Sequence, residues 1–144
     1  MTVMNVLSGC LFGLLLVAFW RARRVEHWAY AWCLMVLPGI YVGFALFADE
    51  SGIVAQELMF GLPFLVVGPL CAVFSFPRSA VVLGLMWIAH GFYDAFHHLL
   101  FINSGVLSWY PGFCAGVDVL IGSYLLVLST VWKNAKANPA HSKP

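Results

Sequence analysis

The sequence predicts an all-α fold: an integral membrane bundle of five transmembrane helices, with the N-terminus outside and the C-terminus in the cytoplasm. Of its 144 residues, 62% are hydrophobic and 9% are charged, whereas a soluble domain usually carries about a quarter charged residues. Five apolar segments are each long enough to cross a bilayer. All seven Lys and Arg residues fall on one side of a five-span arrangement, and such an excess marks the cytoplasmic side.

The first predicted span covers residues 3–20. Three arginines follow its apolar core directly, whereas a secretory signal peptide carries its positive charge before the core. This segment is therefore predicted to be a retained transmembrane helix. The second span, residues 28–48, contains Pro38 and Gly39, which predict a kink. A membrane helix tolerates a kink where its neighbours satisfy the freed backbone groups.

Turns and interface residues separate the three remaining spans. An acidic turn at residues 49–52 precedes the third span, and Arg78 lies in the turn before the fourth. Trp109 suits a membrane interface, and Pro111 fits the first turn of the fifth helix. These spans are predicted at residues 53–76, 80–102 and 112–132, which makes 1–132 a transmembrane domain and 133–144 a disordered cytoplasmic tail.

Composition excludes several classes of function. The net charge is +1 and no basic cluster is interleaved with aromatic residues, so no nucleic-acid partner is predicted. The sequence has no phosphate-binding loop, dinucleotide fingerprint or G-x-S-x-G nucleophile turn. Its four cysteines lie on different predicted spans without a CxxC pair, which predicts buried, unpaired thiols at Cys10, Cys33, Cys71 and Cys114.

The fourth span carries a cluster of ionisable residues: His90, Asp94, His97 and His98. On a helix that advances about 100° per residue, these four side chains fall within roughly a quarter of the circumference and share one face. Ionisable groups inside a span are costly unless they are paired or bind something. This face is therefore a candidate functional site.

Two other spans are predicted to bring carboxylates to the same layer, in the outer half of the bilayer. With a rise of about 1.5 Å per residue, Glu57 lies about 6 Å and Asp118 about 9 Å below the outer ends of their helices, and Asp94 about 13 Å below its own. Tyr41 reaches about the same depth. Small residues at helical spacing on the third and fifth spans predict close packing that turns these polar groups inward.

Neutral imidazoles and carboxylates are the usual ligands of zinc, iron and copper, so the cluster predicts a divalent metal ion of unidentified kind. Asp94 and His97 have the carboxylate–histidine spacing of helix-bundle dimetal sites, but a second such pair is absent, which favours a mononuclear site. The candidate ligands are Asp94, His97, His98, Asp118, His90 and Glu57, and the last two are also the candidate catalytic residues. Cys114 is a further candidate soft ligand. The alternative is a metal-free network in which histidines donate to carboxylates and hold the bundle in register.

Two motifs carry a resemblance to a known family. An HGxxDxxHH motif at residues 90–98 and a WYPxFCxxxD motif at residues 109–118, together with residues 41–45 and Glu57, resemble a family of small bacterial integral membrane proteins of unknown function. The resemblance covers most of the chain from the second span onward. It implies a bacterial inner-membrane location and brings no activity with it. Looser likenesses are to membrane sterol-isomerase-type bundles and to alkaline-ceramidase-type hydrolases, which place histidines and an aspartate around zinc.

Three functions are compatible with these observations. The first is a metal-dependent membrane enzyme, a hydrolase or an oxidoreductase, that acts on a lipid or other lipophilic substrate at the outer leaflet. The second is a metal- or proton-handling protein, which residues 81–87 argue against because they offer nothing to relay a proton beyond His90. The third is a metal-free acid/base isomerase or a lipophile-binding protein. The predicted partners are membrane lipids and a lipophilic small molecule, and lipid-facing helices also permit a homo-oligomer.

Overall fold

The computed structural model of the chain describes residues 2–74 and 76–137, and within them the fold consists of five α-helices without a strand. Each helix contains a stretch that is long and apolar enough to cross a membrane. The predicted all-α class with five spanning helices is therefore confirmed, while the side on which each terminus lies stays a prediction. The helices are α1 (Val3–Arg23), α2 (Glu26–Ala45), α3 (Ile53–Val73), α4 (Phe76–Leu100) and α5 (Tyr110–Ala137).

The helix ends differ from the predicted spans. Helix α2 ends at Ala45 and helix α3 at Val73, both earlier than predicted. Helix α5 runs to Ala137, so residues 133–137 of the predicted tail are helical, and residues 138–144 lie outside the described residues. Apolar composition indicates which residues suit the membrane, whereas a helix ends where its backbone hydrogen bonds end. The two boundaries therefore need not coincide.

Helix α5 makes the most extensive helix–helix contacts in the bundle, because both α4 and α1 pack along it. Its backbone approaches α1 closely: a Cβ at Gly116 would overlap the carbonyl oxygen of Val6, and a Cβ at Gly9 would overlap that of Phe113. Small residues of this kind allow membrane helices to pack tightly. Helix α2 packs along α3, and this pair contacts the rest of the bundle chiefly through α4. The contact between α1 and α2 is slight, which leaves a groove between them.

Two loops meet at one end of the bundle, which we call the paired-loop end (residues 46–52 and 101–109). Glu50 Oε2 accepts hydrogen bonds from the Ser104 backbone N–H at 3.2 Å and from its hydroxyl at 2.9 Å. These bonds stabilise the charged form and hold the pKa of the Glu50 carboxyl below its ordinary value. A Cβ at Gly105 would overlap the carbonyl oxygen of Phe44, so the α4–α5 loop lies directly against the end of α2.

A second network of hydrogen bonds connects the helices at the opposite end of the bundle. The Tyr124 hydroxyl donates to Glu26 Oε1 at 2.7 Å and accepts from Arg21 at 2.9 Å. The Tyr30 hydroxyl donates to the same Glu26 oxygen at 3.1 Å. The Trp87 indole donates to the Tyr30 carbonyl oxygen at 3.1 Å. These bonds connect α1, α2, α4 and α5 at the end remote from the paired loops.

Candidate metal centre

Helix α4 turns three of its four clustered ionisable side chains into the bundle. His90, Asp94 and His97 are buried, and His98 is exposed. Steps of four and three residues keep the first three side chains on one stripe, whereas His98 lies about 100° further round the helix than His97. Of the two adjacent histidines, His97 therefore faces the interior.

His90 and Asp94 of α4 meet Asp118 of α5 in a three-residue group that we call the triad. One potential ligand atom from each residue lies within 4.8 Å of the other two. His90 Nδ1 lies 2.7 Å from Asp118 Oδ2 and 3.4 Å from Asp94 Oδ2. The exposed fractions of these residues are 1%, 0% and 0% in chain order. Solvent therefore does not screen their charges.

Glycines bring α4 and α5 together where the triad forms. A Cβ at Gly91 would lie 3.2 Å from the Cβ of Asp118, and a Cβ at Gly122 would lie 2.6 Å from the carbonyl oxygen of Gly84. The Gly122 position leaves no room for a side chain without a backbone shift, and the Gly91 position is tightly enclosed. The close contact of the two helices thus holds the Asp118 carboxylate against the His90 imidazole.

Several polar atoms of the triad are buried without a hydrogen-bond partner among the described residues. They are His90 Nε2, both carboxylate oxygens of Asp94 and Asp118 Oδ1, and the Tyr41 hydroxyl beside them shares this condition. Buried polar atoms are paired in the great majority of cases, and leaving one unpaired costs about 1–3 kcal/mol. Two ionised carboxylates also carry two negative charges that burial makes costly. The triad therefore has the burial and the unpartnered polar atoms of a cation site.

Glu57 of α3 forms the centre of a second group, separate from the triad. It accepts hydrogen bonds from the Tyr93 hydroxyl, from the Asn103 amide at 2.7 Å and from His97 Nε2 at 2.8 Å. Because an ionised carboxylate only accepts, Nε2 of His97 carries the proton in this pair. Three donors thus satisfy Glu57, which is 1% exposed, and its burial needs no cation.

The aromatic ring of Tyr41, on α2, contacts members of both groups. It stacks on the His97 imidazole, with ring centroids 4.7 Å apart and an interplanar angle of 26°. It also contacts the rings of Tyr93 at 5.5 Å and His90 at 6.4 Å between centroids. Helix α2 therefore contributes an aromatic ring that packs against both the triad and the Glu57 group.

A cavity of about 250 Å³ lies at the paired-loop end beside both groups. Asp94 and His97 line it from α4, Asn103 and Ser108 line it from the following loop, and Pro111 lines it from α5. Asp94 and His97 thus both line a cavity whose wall is partly polar. Of the triad residues, Asp94 is the one in the lining of this cavity.

The predicted ligands therefore occupy three environments. Three of them form the triad, in which one potential ligand atom of each residue lies within 4.8 Å of the other two. Glu57 and His97 pair with each other outside it, and His98 is exposed and lines the cavity at the paired-loop end. Cys114 is buried on α5 but is not a member of the triad. The catalytic and metal-binding roles of all these residues stay predictions.

Asn103 is a site residue that sequence reasoning did not single out. Its amide donates to Glu57, and its own Oδ1 accepts a hydrogen bond from the Gly105 backbone N–H at 3.2 Å. The available signal was an amide side chain directly after an apolar span. Asparagine is also a common turn residue, so that signal alone does not distinguish a site residue from a loop residue.

Fold and site together define a membrane-type bundle of five helices with a buried His/Asp group that is able to hold a metal ion. The chain matches no family model, no curated protein and no solved structure. The resemblance to small bacterial membrane proteins therefore stays a prediction. Any function has to be argued from the chemistry of the site.

Proposed function

We propose that this chain is an integral membrane metalloenzyme of the bacterial inner membrane that binds one divalent cation at His90, Asp94 and Asp118 and acts on a lipophilic substrate. The observation that carries the proposal is the triad, in which three potential ligand atoms lie within 4.8 Å of one another in full burial. A neutral imidazole and two carboxylates carry two negative charges. A divalent cation cancels that charge and uses lone pairs that have no other partner.

The donor set supports a catalytic ion rather than a structural one. One nitrogen and two oxygens suit zinc, iron or copper. Structural zinc sites are closed by four protein ligands, whereas catalytic sites use three and keep a position open for water or substrate. When bound, such an ion supplies Lewis-acid polarisation of a substrate oxygen or activation of water.

His97 is the proton acceptor in this proposal. Donation from Nε2 to Glu57 leaves Nδ1 as the acceptor nitrogen of the neutral ring, and His97 borders the cavity that Asp94 also lines. The Glu57 carboxylate stabilises the imidazolium that forms when His97 takes up a proton. His90 is less suited to accept a proton because its Nδ1 faces two carboxylates. Glu57 is also less suited, because its carboxylate already accepts three hydrogen bonds.

We assign the paired-loop end to the extracytoplasmic side. The arginines of the chain lie at the end of α1 and directly after it and in the first turn of α4, and the lysines lie after the predicted fifth span. An excess of positive charge marks the cytoplasmic side of a membrane protein. A reporter fused to the C-terminus should then be active only in a cytoplasmic assay. Activity in a periplasmic assay would reverse this assignment.

Elemental analysis of the protein purified in detergent tests metal binding. We expect about one zinc, iron or copper ion per chain, and at least a tenfold loss in Asp118→Asn and Asp94→Asn, which remove one charge at nearly constant size. His98→Gln is the matched control, because His98 belongs to the same helix and is exposed, and although it lines the cavity at the paired-loop end it is not a member of the triad. A wild-type protein that stays metal-free after growth in medium supplemented with these ions would contradict the proposal. So would an equal loss in the control.

Thermal unfolding of the wild-type protein gives a measurement that does not depend on variants. A ligand that binds only the folded state stabilises it by about 2.7 kcal/mol at one hundred times its dissociation constant. Treatment with a chelator should therefore lower the melting temperature, and adding back the ion should restore it. An unchanged melting temperature would count against a tightly bound ion.

A metal-free acid/base isomerase or lipophile-binding protein is the second candidate. One observation favours it: the 2.7 Å distance between His90 Nδ1 and Asp118 Oδ2 is that of a hydrogen bond, so this pair is satisfied without an ion. The same measurements separate the two candidates. A metal-free protein whose melting temperature does not change on treatment with a chelator supports the second candidate.

A further inference from the structure

Three exposed arginines stand at the end of helix α1, and we call them the arginine cluster: Arg21, Arg23 and Arg24. The ion pairs among the described residues all join a histidine to a carboxylate, so none of these arginines has one. Glu26, the carboxylate of the same connection, accepts hydrogen bonds from two tyrosine hydroxyls instead. Three positive charges thus stand beside one carboxylate, which leaves an exposed excess of positive charge at this end of the bundle.

Arg23 lies on the side of α1 that borders the groove between α1 and α2. Phe12, Leu16 and Trp20 line that groove from α1. A further step of three residues along the same side of the helix leads from Trp20 to Arg23. The Arg23 guanidinium carbon lies 5.2 Å from the centre of the Phe19 ring, which holds the cation by a cation–π contact. One wall of the groove therefore ends at an exposed cation.

The groove itself is apolar and faces the surface that a membrane would surround. It encloses about 410 Å³, and its α2 rim consists of the exposed side chains of Trp32, Val36 and Ile40. Trp28, which is also exposed, lies one turn before Trp32 on the same side of α2 and four residues after the arginine cluster. Tryptophan is enriched where a membrane meets water. The groove thus leads from the hydrocarbon toward the interface at which the arginines stand.

Arg24 adopts a backbone conformation that favours glycine. Its φ is 57° and its ψ is 32°, in the left-handed region that a residue with a long side chain rarely adopts. Many helices end with a glycine in this conformation. Glycine at this position would therefore suit the backbone better, while arginine adds a cation to the cluster. The charge and the backbone preference can be separated by one substitution.

We propose that the arginine cluster and the groove together bind one anionic phospholipid of the cytoplasmic leaflet. The planar guanidinium group presents several N–H donors in the geometry that a phosphate accepts. The phosphate would lie at Arg23 and Arg24, and one acyl chain would follow the groove. Because the cluster carries more charge than Glu26 offsets, a headgroup with a net negative charge fits better than a zwitterionic one.

The location of the cluster agrees with this occupant. Basic residues directly beside a transmembrane helix attract the anionic lipids of the cytoplasmic leaflet, and an excess of positive charge marks the cytoplasmic side of a membrane protein. The arginine cluster belongs to the end remote from the paired loops. It contains none of the triad residues, so this inference does not depend on the metal centre.

Native mass spectrometry of the full chain in detergent tests lipid binding. The probes are phosphatidylglycerol and phosphatidylcholine with identical acyl chains, which differ in the net charge of the headgroup. We expect the protein to retain about five times more phosphatidylglycerol, and added salt should weaken this preference. Excess glycerol phosphate, which lacks the chains, should not displace the lipid. Equal retention of the two lipids would overturn the inference, and so would displacement by glycerol phosphate.

Substitutions in the cluster separate binding from stability. Arg23→Gln should lower the retention of phosphatidylglycerol about fivefold. Arg24→Gly should lower it by a similar factor without lowering the melting temperature of the lipid-free protein, because glycine suits the left-handed conformation. Arg78→Gln is the matched control for the loss of one arginine, since α4 makes no contact with α1 among the described residues. An equal loss of retention in this control would assign the preference to net charge alone and overturn the site.

A second pair of variants tests the position of the acyl chain. Val36→Trp fills the groove from its rim and should lower the retention of phosphatidylglycerol. Val66→Trp is the control, because Val66 is an exposed valine of α3 outside the groove lining, and it should leave retention unchanged. Equal retention in these two variants would overturn the placement of the chain in the groove.

Discussion

The imidazole of His97 stacks on the phenol ring of Tyr41, with ring centroids 4.7 Å apart. Glu57 holds the same imidazole through Nε2 at 2.8 Å, and Tyr41 contacts the His90 ring as well. The Tyr41 ring thus contacts both groups. In one group Glu57 accepts three hydrogen bonds, and in the other Asp94 and Asp118 have oxygens without a partner among the described residues. This division is the reason for assigning different roles to His90 and His97, although both lie on one stripe of α4.

Tyr41 should act through its ring more than through its hydroxyl. The hydroxyl is buried without a partner among the described residues. We therefore expect the free energy of unfolding of Tyr41→Phe to lie within about 1 kcal/mol of the wild-type value. Tyr41→Ala removes a packed aromatic ring and should cost about 3–5 kcal/mol. Thermal unfolding in detergent measures both changes. Equal destabilisation by the two substitutions would show that the hydroxyl has a structural partner.

Glu57 should be required for stability and not for metal binding. Glu57→Leu leaves the buried donors of His97 and Asn103 without an acceptor, at a cost of about 1–3 kcal/mol each. Glu57→Gln keeps one acceptor oxygen at nearly constant size and should cost less. Gln56→Leu, at the exposed neighbouring position, is the control for the loss of a polar side chain. We expect Glu57→Gln to retain the wild-type metal content. Loss of metal equal to that in Asp118→Asn would place Glu57 among the ligands.

Glu50 should make the stability of the protein fall in acid. Its pKa in the folded protein is held below the ordinary value of 4.5 by the bonds from Ser104, so the unfolded chain binds the proton more readily. The stabilising contribution is therefore present above the ordinary pKa and is lost as the pH falls through the lowered one. Between about pH 7 and pH 3, the melting temperature of Glu50→Gln should fall less steeply with decreasing pH than that of the wild-type protein.

Asp49→Asn is the control for this pH dependence. Asp49 lies in the same turn but contacts Ser104 through its backbone N–H, which the substitution preserves. The Asp49→Asn profile should therefore follow the wild-type curve more closely than the Glu50→Gln profile does. If the two variants change the curve equally, the effect belongs to the charge of the turn and not to the Glu50–Ser104 bonds.

Gly116 should be needed for the contact of α1 with α5. In Gly116→Ala the new Cβ would overlap the Val6 carbonyl oxygen, and overpacking of this kind costs about 1–3 kcal/mol. Gly39→Ala is the matched control in a helix, because a Cβ there meets no atom within 4 Å among the described residues. Thermal unfolding should show a loss in the first variant and none in the second. The opposite order would mean that α1 moves away from α5 without cost.

Periodicity in the sequence was sufficient to identify which faces turn inward. The stripe of Glu57, Gly61, Phe64 and Gly68 on the third span is buried in α3, as expected when small residues flank a polar one in a membrane helix. The same reasoning identified the stripe of Cys114, Asp118, Gly122 and Ser129 on the fifth span, which is buried in α5. It succeeded because the helical repeat is local: residues three and four apart share a face whatever the helix packs against.

The sequence by itself determined the five apolar helices and the inward direction of the carboxylates, because composition and helical repeat depend only on neighbouring residues. It did not determine which carboxylate meets which histidine. Glu57 and Asp118 both face inward, yet one pairs with His97 and the other with His90. That choice depends on how α3 and α5 pack against α4 and on the Tyr41 ring of α2, which contacts both histidines. Only the tertiary structure decides such contacts, because they join residues far apart in the chain.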